Sequence, residues 1–250
     1  MKETYLIADI GNTTIDLALY DGLGIEKVKI TNQNQKQIEE QLTKWKGNNI
    51  QSCLISSVNK EGSENLILSL NQQEIPFEII TPKMMDDFAN QYGYTITNTS
   101  YLGTDLFCDI IAKEEVPQII IDLGTVGKIL YLDRDKIFHG CAIFPDIRRI
   151  PQILEQSTDL LENYGLSKNP PLVSLKTEEC ISSGAINGVA CLVVSMVKQI
   201  KKKYDAFDSQ IILTGGDSHY VSALLEEFGL EDVIYDPDLS IKGMIRLLNL

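Results

Sequence analysis

One short pattern occurs twice in this chain, and it constrains the fold more than any other feature. The apolar residues 5–8 end in Asp9-Ile10-Gly11-Asn12-Thr13, and an alternating run, residues 14–20, follows. The apolar residues 118–121 end in Asp122-Leu123-Gly124-Thr125, and another apolar run follows. Each copy indicates a buried strand, a tight turn and a second strand. The repeat therefore predicts an internally duplicated fold.

The turn after each first strand has the composition of a phosphate-binding loop. Gly11 lets the backbone come close to a ligand, and backbone N–H groups with small hydroxyls hold phosphate oxygens. Asp9 lies at a strand end, where a carboxylate holds Mg²⁺ directly or through water. Each turn taken alone is also ordinary hairpin chemistry. Two such turns facing each other could clamp a nucleoside triphosphate and its Mg²⁺ between two domains.

Hydrophobic periodicity predicts the order β-β-β-α-β-α-β-α in each half of the chain. That order is typical of α/β domains with a mixed sheet flanked by helices. We place an N-terminal domain at residues 1–115 and a C-terminal domain at residues 116–250. Helices are predicted at about 147–163, 178–203 and 240–248, and Thr104 is the expected N-cap of a helix through about Lys113.

Composition excludes several classes of partner. The net charge is −13 and the sequence pI is about 4.6, so nucleic acid and anionic membranes are not expected partners. No apolar stretch is expected to span a membrane, and the N-terminus lacks a signal-peptide pattern. The 5 cysteines are scattered, as in a reduced cytoplasmic protein, and the 2 histidines lack the spacing of a zinc site.

The full set of motifs resembles the type III pantothenate kinases, also called the Bvg accessory factor family, of the actin-like ATPase and sugar-kinase superfamily. The resemblance covers nearly the whole chain and rests on several landmarks in the family's order. They are Asp9-Ile10-Gly11-Asn12-Thr13, Leu102-Gly103-Thr104-Asp105, Asp122-Leu123-Gly124-Thr125, Gly140-Cys141-Ala142-Ile143-Phe144-Pro145, Thr177 with Ser183-Gly184, and Thr214-Gly215-Gly216.

The resemblance implies a fold and an activity. The fold would be two actin-like ATPase (ribonuclease H-like) domains, with the active site in the cleft between them. The activity would be ATP-dependent phosphorylation of pantothenate to 4'-phosphopantothenate, the first step of coenzyme A biosynthesis. The implied cofactors are ATP, Mg²⁺ and a monovalent cation, K⁺ or NH₄⁺. The implied state is a cytoplasmic homodimer.

The resemblance also assigns roles to individual residues. Asp105 would be the general base that accepts the hydroxyl proton of the acceptor, a role that phosphoryl transfer to an alcohol requires. Asp9 and Asp122 would place Mg²⁺. The remaining assignments are Gly11, Asn12, Thr13, Gly124 and Thr125 to phosphate, Gly215 and Gly216 to adenosine, and Tyr101, Gly103, Thr104 and Thr177 to pantothenate, with Thr177 supplied across the dimer. Helix capping and turn formation are the ordinary alternatives for the three aspartates.

Five positions depart from the family pattern. Leu106 stands where an arginine usually follows the catalytic aspartate, and Gly127-Lys128 replaces hydroxyl residues after the second turn. Lys128 either meets a phosphate or faces solvent. Cys141 and Asp146 replace glycines, and Asp146 adds a negative charge where an anionic substrate is expected. An alternative function is therefore a divergent homologue, either a nucleotide-binding regulatory protein or a kinase for another small alcohol.

Overall fold

The computed structural model describes residues 3–32, 34–161 and 164–248. The chain divides into two compact units. The first comprises the chain up to Glu114 together with the segment from Asp238 onward, and the second comprises Glu115–Pro237. The elements in chain order are β1 (Thr4–Ile10), β2 (Thr14–Tyr20), β3 (Ile25–Thr31), α1 (Gln35–Trp45), β4 (Ile50–Ser57), α2 (Lys60–Gln72), β5 (Phe77–Ile79), α3 (Pro82–Tyr92), α4 (Thr104–Ile111), β6 (Gln118–Leu123), β7 (Val126–Leu132), β8 (Phe138–Pro145), α5 (Arg149–Ser157), α6 (Thr177–Tyr204), β9 (Gln210–Thr214), α7 (Ser222–Glu227), β10 (Val233–Tyr235) and α8 (Leu239–Leu247).

Both units are built on the same mixed sheet. The strand order is β3-β2-β1-β4-β5 in the first unit and β8-β7-β6-β9-β10 in the second. In each, the first three strands form an antiparallel meander and the last two are parallel to the first strand. The duplication predicted from the repeated Asp-x-Gly turn is therefore present in the backbone, with both turns after the central strand of their sheet.

The first unit buries one face of its sheet against amphipathic helices. Ile38 and Leu42 of α1 and Leu66 and Leu70 of α2 are fully buried with Leu6, in a core that their helical spacing explains. Each helix also has the start signal that its sequence carries, because asparagine side chains cap α1 and α2 and Thr81 caps α3 ahead of a proline.

The last helix belongs to the first unit. We placed residues 240–248 in the C-terminal domain, but α8 packs on α4. A side chain at Gly243 would collide with the backbone carbonyl of Cys108, so the two helices touch backbone to backbone. Ser240 Oγ also donates a 2.6 Å hydrogen bond to the buried Asp109 carboxylate, and Arg246 bonds the carbonyl of Ile111. The division after Glu114 lies beside the predicted boundary.

Helix α6 is the core of the second unit. Its buried residues include Ala185, Val189, Val193 and Val197, which pack with the strands β6, β7 and β9. By length and composition alone this helix could cross a membrane, contrary to our expectation for the chain, but 61% of its most apolar window is buried inside the protein. The helix predicted at about 147–163 ends earlier, at Ser157, and residues 162–163 lie outside the described part of the chain.

Candidate active site

The first predicted phosphate turn joins β1 to β2 and is held by two asparagines from other connections. The Gly11 amide donates to the Thr14 carbonyl at 2.9 Å, which closes the turn. Asn32 Nδ2 donates to the Gly11 carbonyl at 2.8 Å, and the Asn32 amide donates to the Thr13 carbonyl at 3.1 Å. Asn59 Nδ2 lies 3.4 Å from the Asn12 carbonyl. The turn is therefore shaped before any ligand arrives. Our sequence interpretation missed both asparagines, because only the fold brings them to the turn.

Asp9 lies among oxygen donors at the end of β1. It is half-buried and pairs in register with Asp16 on β2 and with Ser56 on β4. Asp16 Oδ2 forms a 3.2 Å ion pair with Lys29, while its buried Oδ1 has no hydrogen-bond partner. Carboxylate and hydroxyl oxygens are the ligands that Mg²⁺ prefers, so the residues around Asp9 fit this metal.

Asp105 occupies the first turn of α4. The N-cap of this helix is Gly103, not the predicted Thr104, whose side chain instead shares a 2.9 Å hydrogen bond with Ser56 at the end of β4. A side chain at Gly103 would collide with Asp105 Oδ1, so the carboxylate lies directly over the glycine. The sheet thus fixes the start of α4, and the missing side chain at Gly103 gives the Asp105 carboxylate its place.

The two aspartates of the first unit share a neighbourhood. Burial raises the pKa of the Cys108 thiol well above its usual value, and the negative charges of Asp9, Asp109 and Asp105 raise it further. The Cys108 thiol is therefore close enough to interact electrostatically with both Asp9 and Asp105. Leu106, the departure beside Asp105, is buried in the helix packing, whereas the predicted substrate residue Tyr101 is 89% exposed.

In the second unit, the equivalent carboxylate is already paired with a cation. Asp122 and Lys128 are register partners on β6 and β7, and Lys128 Nζ lies 2.6 Å from Asp122 Oδ2. The side chains are only 15% and 17% exposed. Lys128 therefore does not simply face solvent, one of the two alternatives that its sequence position allowed. Gly124 and Thr125 form the turn between the two strands.

The late glycine turn lies against the same carboxylate. Gly215 has φ +91°, and a side chain there would meet the Leu123 carbonyl and Asp122 Oδ1, the latter at 2.6 Å. Only glycine fits this close approach and this backbone conformation. The next residue, Gly216, has its carbonyl 2.9 Å from Nδ1 of His219. The structure thus brings Gly215 beside Asp122, as a shared ligand site in this unit requires.

Asp146, the substituted glycine of the β8 motif, is completely buried. Its Oδ1 accepts a 2.6 Å hydrogen bond from the Ile147 amide, but Oδ2 has no partner. Burial raises the pKa of Asp146 to about 7, and the charges of Asp217 and Asp122 act in the same direction. The amide of Ile147 and the nearby Arg148 oppose this shift. The carboxyl group is therefore half-ionised near neutral pH.

Arg148 and Asp217 form the second ion pair of this region. Arg148 Nε lies 2.8 Å from the carboxylate of Asp217, which is almost fully buried. Hydrogen bonding to Asp217 raises the pKa of Arg148, so the guanidinium group stays charged. We assigned no role to Asp217 from the sequence. An arginine soon after β8 and an acid after β9 are too far apart in sequence to suggest a pair.

Thr177 is the first residue of α6 and is exposed. Farther along the same helix, Gly184 and Gly188 lie on an exposed face, with nothing near the position of an added side chain. Together with Leu172, Val173 and other residues they line a groove of about 410 Å³. Within the described ranges, histidine, cysteine and acidic side chains form no group of three or more that could hold a metal. Any divalent ion at Asp9 would thus also need oxygen ligands from hydroxyls, substrate or water.

Two duplicated mixed sheets with an aspartate turn after each central strand define a protein of the actin-like ATPase fold. A solved Baf family protein from Campylobacter jejuni has a TM-score of 0.58 and 21% identity, covering 98% of this chain and 97% of that chain. The ethanolamine utilization protein EutJ from Carboxydothermus hydrogenoformans has a TM-score of 0.54 and 13% identity, covering 98% of this chain and 89% of that chain.

Sequence comparison makes the assignment specific. The family model for type III pantothenate kinase matches residues 5–199, so the chain belongs to the type III pantothenate kinase family. A type III pantothenate kinase from Flavobacterium psychrophilum is 29% identical, covering 88% of this chain and 90% of the relative. One from Acholeplasma laidlawii is 26% identical, covering 97% of both chains. The protein is therefore a kinase that uses ATP with a divalent metal ion on a small-molecule substrate.

Proposed function

We propose that this protein phosphorylates pantothenate to 4'-phosphopantothenate at the expense of ATP, the first step of coenzyme A biosynthesis. The family match over residues 5–199 carries this proposal. The structure supports it in each unit separately, because the family's aspartate turns occupy equivalent places after β1 and β6. Asp105, in the first turn of α4, supplies the carboxylate that the reaction needs as a general base.

In this proposal, Asp105 accepts the proton of the pantothenate hydroxyl as the oxygen attacks the γ-phosphorus of ATP. The bond between that phosphorus and the β,γ-bridging oxygen breaks, and ADP leaves. The proton transfer requires a carboxylate held in one place. The Thr104 hydrogen bond to Ser56 and the missing side chain at Gly103, whose place the Asp105 carboxylate occupies, support that requirement. Asp9 would hold Mg²⁺, which would neutralise charge on the phosphates. Gly11, Asn12 and Thr13 bind phosphate through the preformed turn.

The second unit would bind the rest of the nucleotide. Gly124 and Thr125 contact phosphate, and Gly215 with Gly216 lies beside adenosine. The positive φ and close packing of Gly215 support a backbone that approaches a ligand. Tyr101, Gly103, Thr104 and Thr177 are the proposed pantothenate residues, and a monovalent cation, K⁺ or NH₄⁺, completes the cofactor set.

The exposed face of α6 supports a homodimer in the cytoplasm. A side chain added at Gly184 or Gly188 would meet open space, so these glycines do not serve packing inside the described part of the unit. Small residues permit close helix approach, and the exposed apolar side chains Leu172 and Val173 lie along the same groove. A second copy that covers this groove would bury both.

The experiment that tests the proposed function is phosphorylation of pantothenate by the purified protein with ATP, Mg²⁺ and a potassium salt. Asp105→Asn is expected to lower kcat by at least 100-fold, a typical effect of removing a general base. Asp87→Asn, an exposed aspartate on α3, is the matched control and is expected to leave the rate unchanged. No turnover by the wild-type protein, with nucleotide still bound, would contradict the assignment of pantothenate.

One observation favours a second candidate, a kinase for another small alcohol. The family's acceptor-side arginine is Leu106 here, its side chain is buried, and Asp146 adds an acid in the other unit. An acceptor without a negative charge would lose nothing from either change. A panel of neutral alcohols, assayed beside pantothenate with the same Asp105→Asn control, distinguishes the two candidates.

A further inference from the structure

In the second unit, the aspartate after the central strand pairs directly with a lysine of the next strand. In the first unit, the equivalent aspartate is in register with Asp16, which itself pairs with Lys29. In the first hairpin, the register partner of Asp9 is another aspartate, Asp16. In the second hairpin, the register partner of Asp122 is Lys128. The two turns are equivalent by topology, so the difference lies in charge. One turn brings two carboxylates together, and the other brings a carboxylate and an ammonium group together.

The Asp122 carboxylate is enclosed on both of its oxygens. Oδ2 lies 2.6 Å from Lys128 Nζ, and Oδ1 lies against Gly215, where an added side chain would come within 2.6 Å of it. Both side chains of the pair are largely buried. An ion pair of this length with little solvent is a charge-assisted hydrogen bond, among the stronger polar contacts in proteins. A divalent ion at Asp122 would have to displace the ammonium group.

The strand that carries Lys128 is itself fixed by packing. Gly127 pairs with Phe144 on β8, and the aromatic ring occupies the space that any side chain at 127 would need. Gly127 and Lys128 both differ from the family's hydroxyl residues. The glycine admits the ring, and the strand alternation then places Lys128 on the face of Asp122.

Two of the three acidic groups around this position already pair with cations. Arg148 neutralises Asp217, and Lys128 neutralises Asp122. Asp146, the third carboxyl group, is completely buried. The donor set therefore does not fit a divalent metal at Asp122, in contrast to the oxygen donors around Asp9.

We propose that Lys128 acts as a tethered cation in the second phosphate turn, so that Asp122 positions the lysine instead of binding Mg²⁺. An ammonium group has three N–H donors and can serve a carboxylate and a phosphate oxygen at once. Lys128 then contacts a phosphate of the bound nucleotide, and only the first unit holds the divalent ion. This inference rests on the proposed ATP site and adds a residue for phosphate binding that the family pattern lacks.

The test measures binding of a non-hydrolysable ATP analogue by calorimetry, once with excess chelator and once with Mg²⁺. Lys128→Met removes the charge and is expected to weaken binding at least tenfold in both conditions, as loss of a hydrogen bond to a charged group predicts. Lys128→Arg keeps the charge and should restore most of the affinity. Arg134→Met, which removes an exposed ion pair with Asp208 beyond the other end of β7, is the control and should bind normally.

The ratio of the nucleotide affinities with and without Mg²⁺ distinguishes the role of Asp9 from that of Asp122. Asp122→Asn is expected to leave the gain from Mg²⁺ unchanged, whereas Asp9→Asn should abolish it. If Lys128→Met alone fails to fold, the double variant Lys128→Met with Asp122→Asn replaces it. The double variant leaves no unpaired buried charge, so its nucleotide affinity still shows the effect of losing the lysine.

Three results would overturn the inference. They are loss of the Mg²⁺ gain in Asp122→Asn, normal binding by Lys128→Met or the double variant, and a second Mn²⁺ bound to the wild-type protein in spin-resonance titrations with the analogue. A wild-type protein that binds no nucleotide would instead refute the proposed function itself, together with the role of Lys128.

Discussion

Replacing Asp146 by asparagine is expected to stabilise the protein by an amount that grows with pH. Asp146 is completely buried, one of its oxygens lacks a partner, and its pKa is raised to about 7. An unfolded aspartate has a pKa of about 4. Between these values the folded protein binds the proton more tightly than the unfolded chain, so stability falls as pH rises. Asparagine has the same shape, can accept the Ile147 hydrogen bond and does not ionise.

The magnitude follows from the two pKa values. The cost of ionising Asp146 in the folded state is roughly 1.4 kcal/mol at pH 5 and reaches about 4 kcal/mol above pH 7. The stability difference between Asp146→Asn and the wild type should therefore increase by nearly 3 kcal/mol from pH 5 to pH 8 and then level off. For a chain of this size, that increase corresponds to about 6 to 12 °C in melting temperature.

The assay is thermal unfolding of both proteins at a series of pH values, supported by urea unfolding at the two ends. Asp135→Asn, an exposed aspartate of the same unit, is the control and should show a difference that does not vary with pH. A constant difference between Asp146→Asn and the wild type from pH 5 to pH 8 would refute the reasoning, because it would mean that Asp146 does not carry its proton in the folded protein.

Three further substitutions test contacts in single units. Gly127→Ala should cost about 1 to 3 kcal/mol in urea unfolding, because the new methyl group meets the Phe144 ring, and adding Phe144→Leu should recover part of the loss. Gly243→Ala should destabilise the first unit by a similar or larger amount, since the methyl group would strike the Cys108 carbonyl; a wild-type unfolding midpoint would show that α8 does not pack so closely. Arg148→Met should cost about 1 to 3 kcal/mol by leaving a buried aspartate unpaired, less than in a fully buried pair because the Arg148 side chain is 62% exposed. Recovery when that aspartate is also changed to asparagine would identify the ion pair as the cause.

The duplicated sheets were predictable because local signals agree with the tertiary structure. Each strand of the two meanders has the apolar or alternating pattern that its burial requires, and helices α1 to α3 have capping residues. The comparisons confirm the family and the fold. The roles of the individual site residues stay predictions, because no ligand contact tests them.

Other features depend on contacts that sequence patterns do not report. The amphipathic pattern of α8 predicts a helix but does not indicate which unit the helix joins. The close contact of Gly243 with α4 places it in the first unit. Threonine is a common N-cap residue, but the hydroxyl of Thr104 instead shares a hydrogen bond with the hydroxyl of Ser56 at the end of β4. The Lys128–Asp122 pair depends on the length of the turn. Three residues, 124–126, separate the innermost pair of Leu123 and Gly127, so Asp122 meets Lys128, whereas a two-residue turn would pair Asp122 with Gly127.

The placement of α8 has a consequence for how the chain matures on the ribosome. The first unit begins with β1 but is completed only by α8, which is translated after the second unit. The whole second unit is synthesised in between, a delay on the order of 10 s at usual elongation rates. During that time the nascent first sheet lacks the helix that covers α4. The second unit is contiguous in sequence, so all of its residues are available for folding before the first unit is complete, although its synthesis starts later.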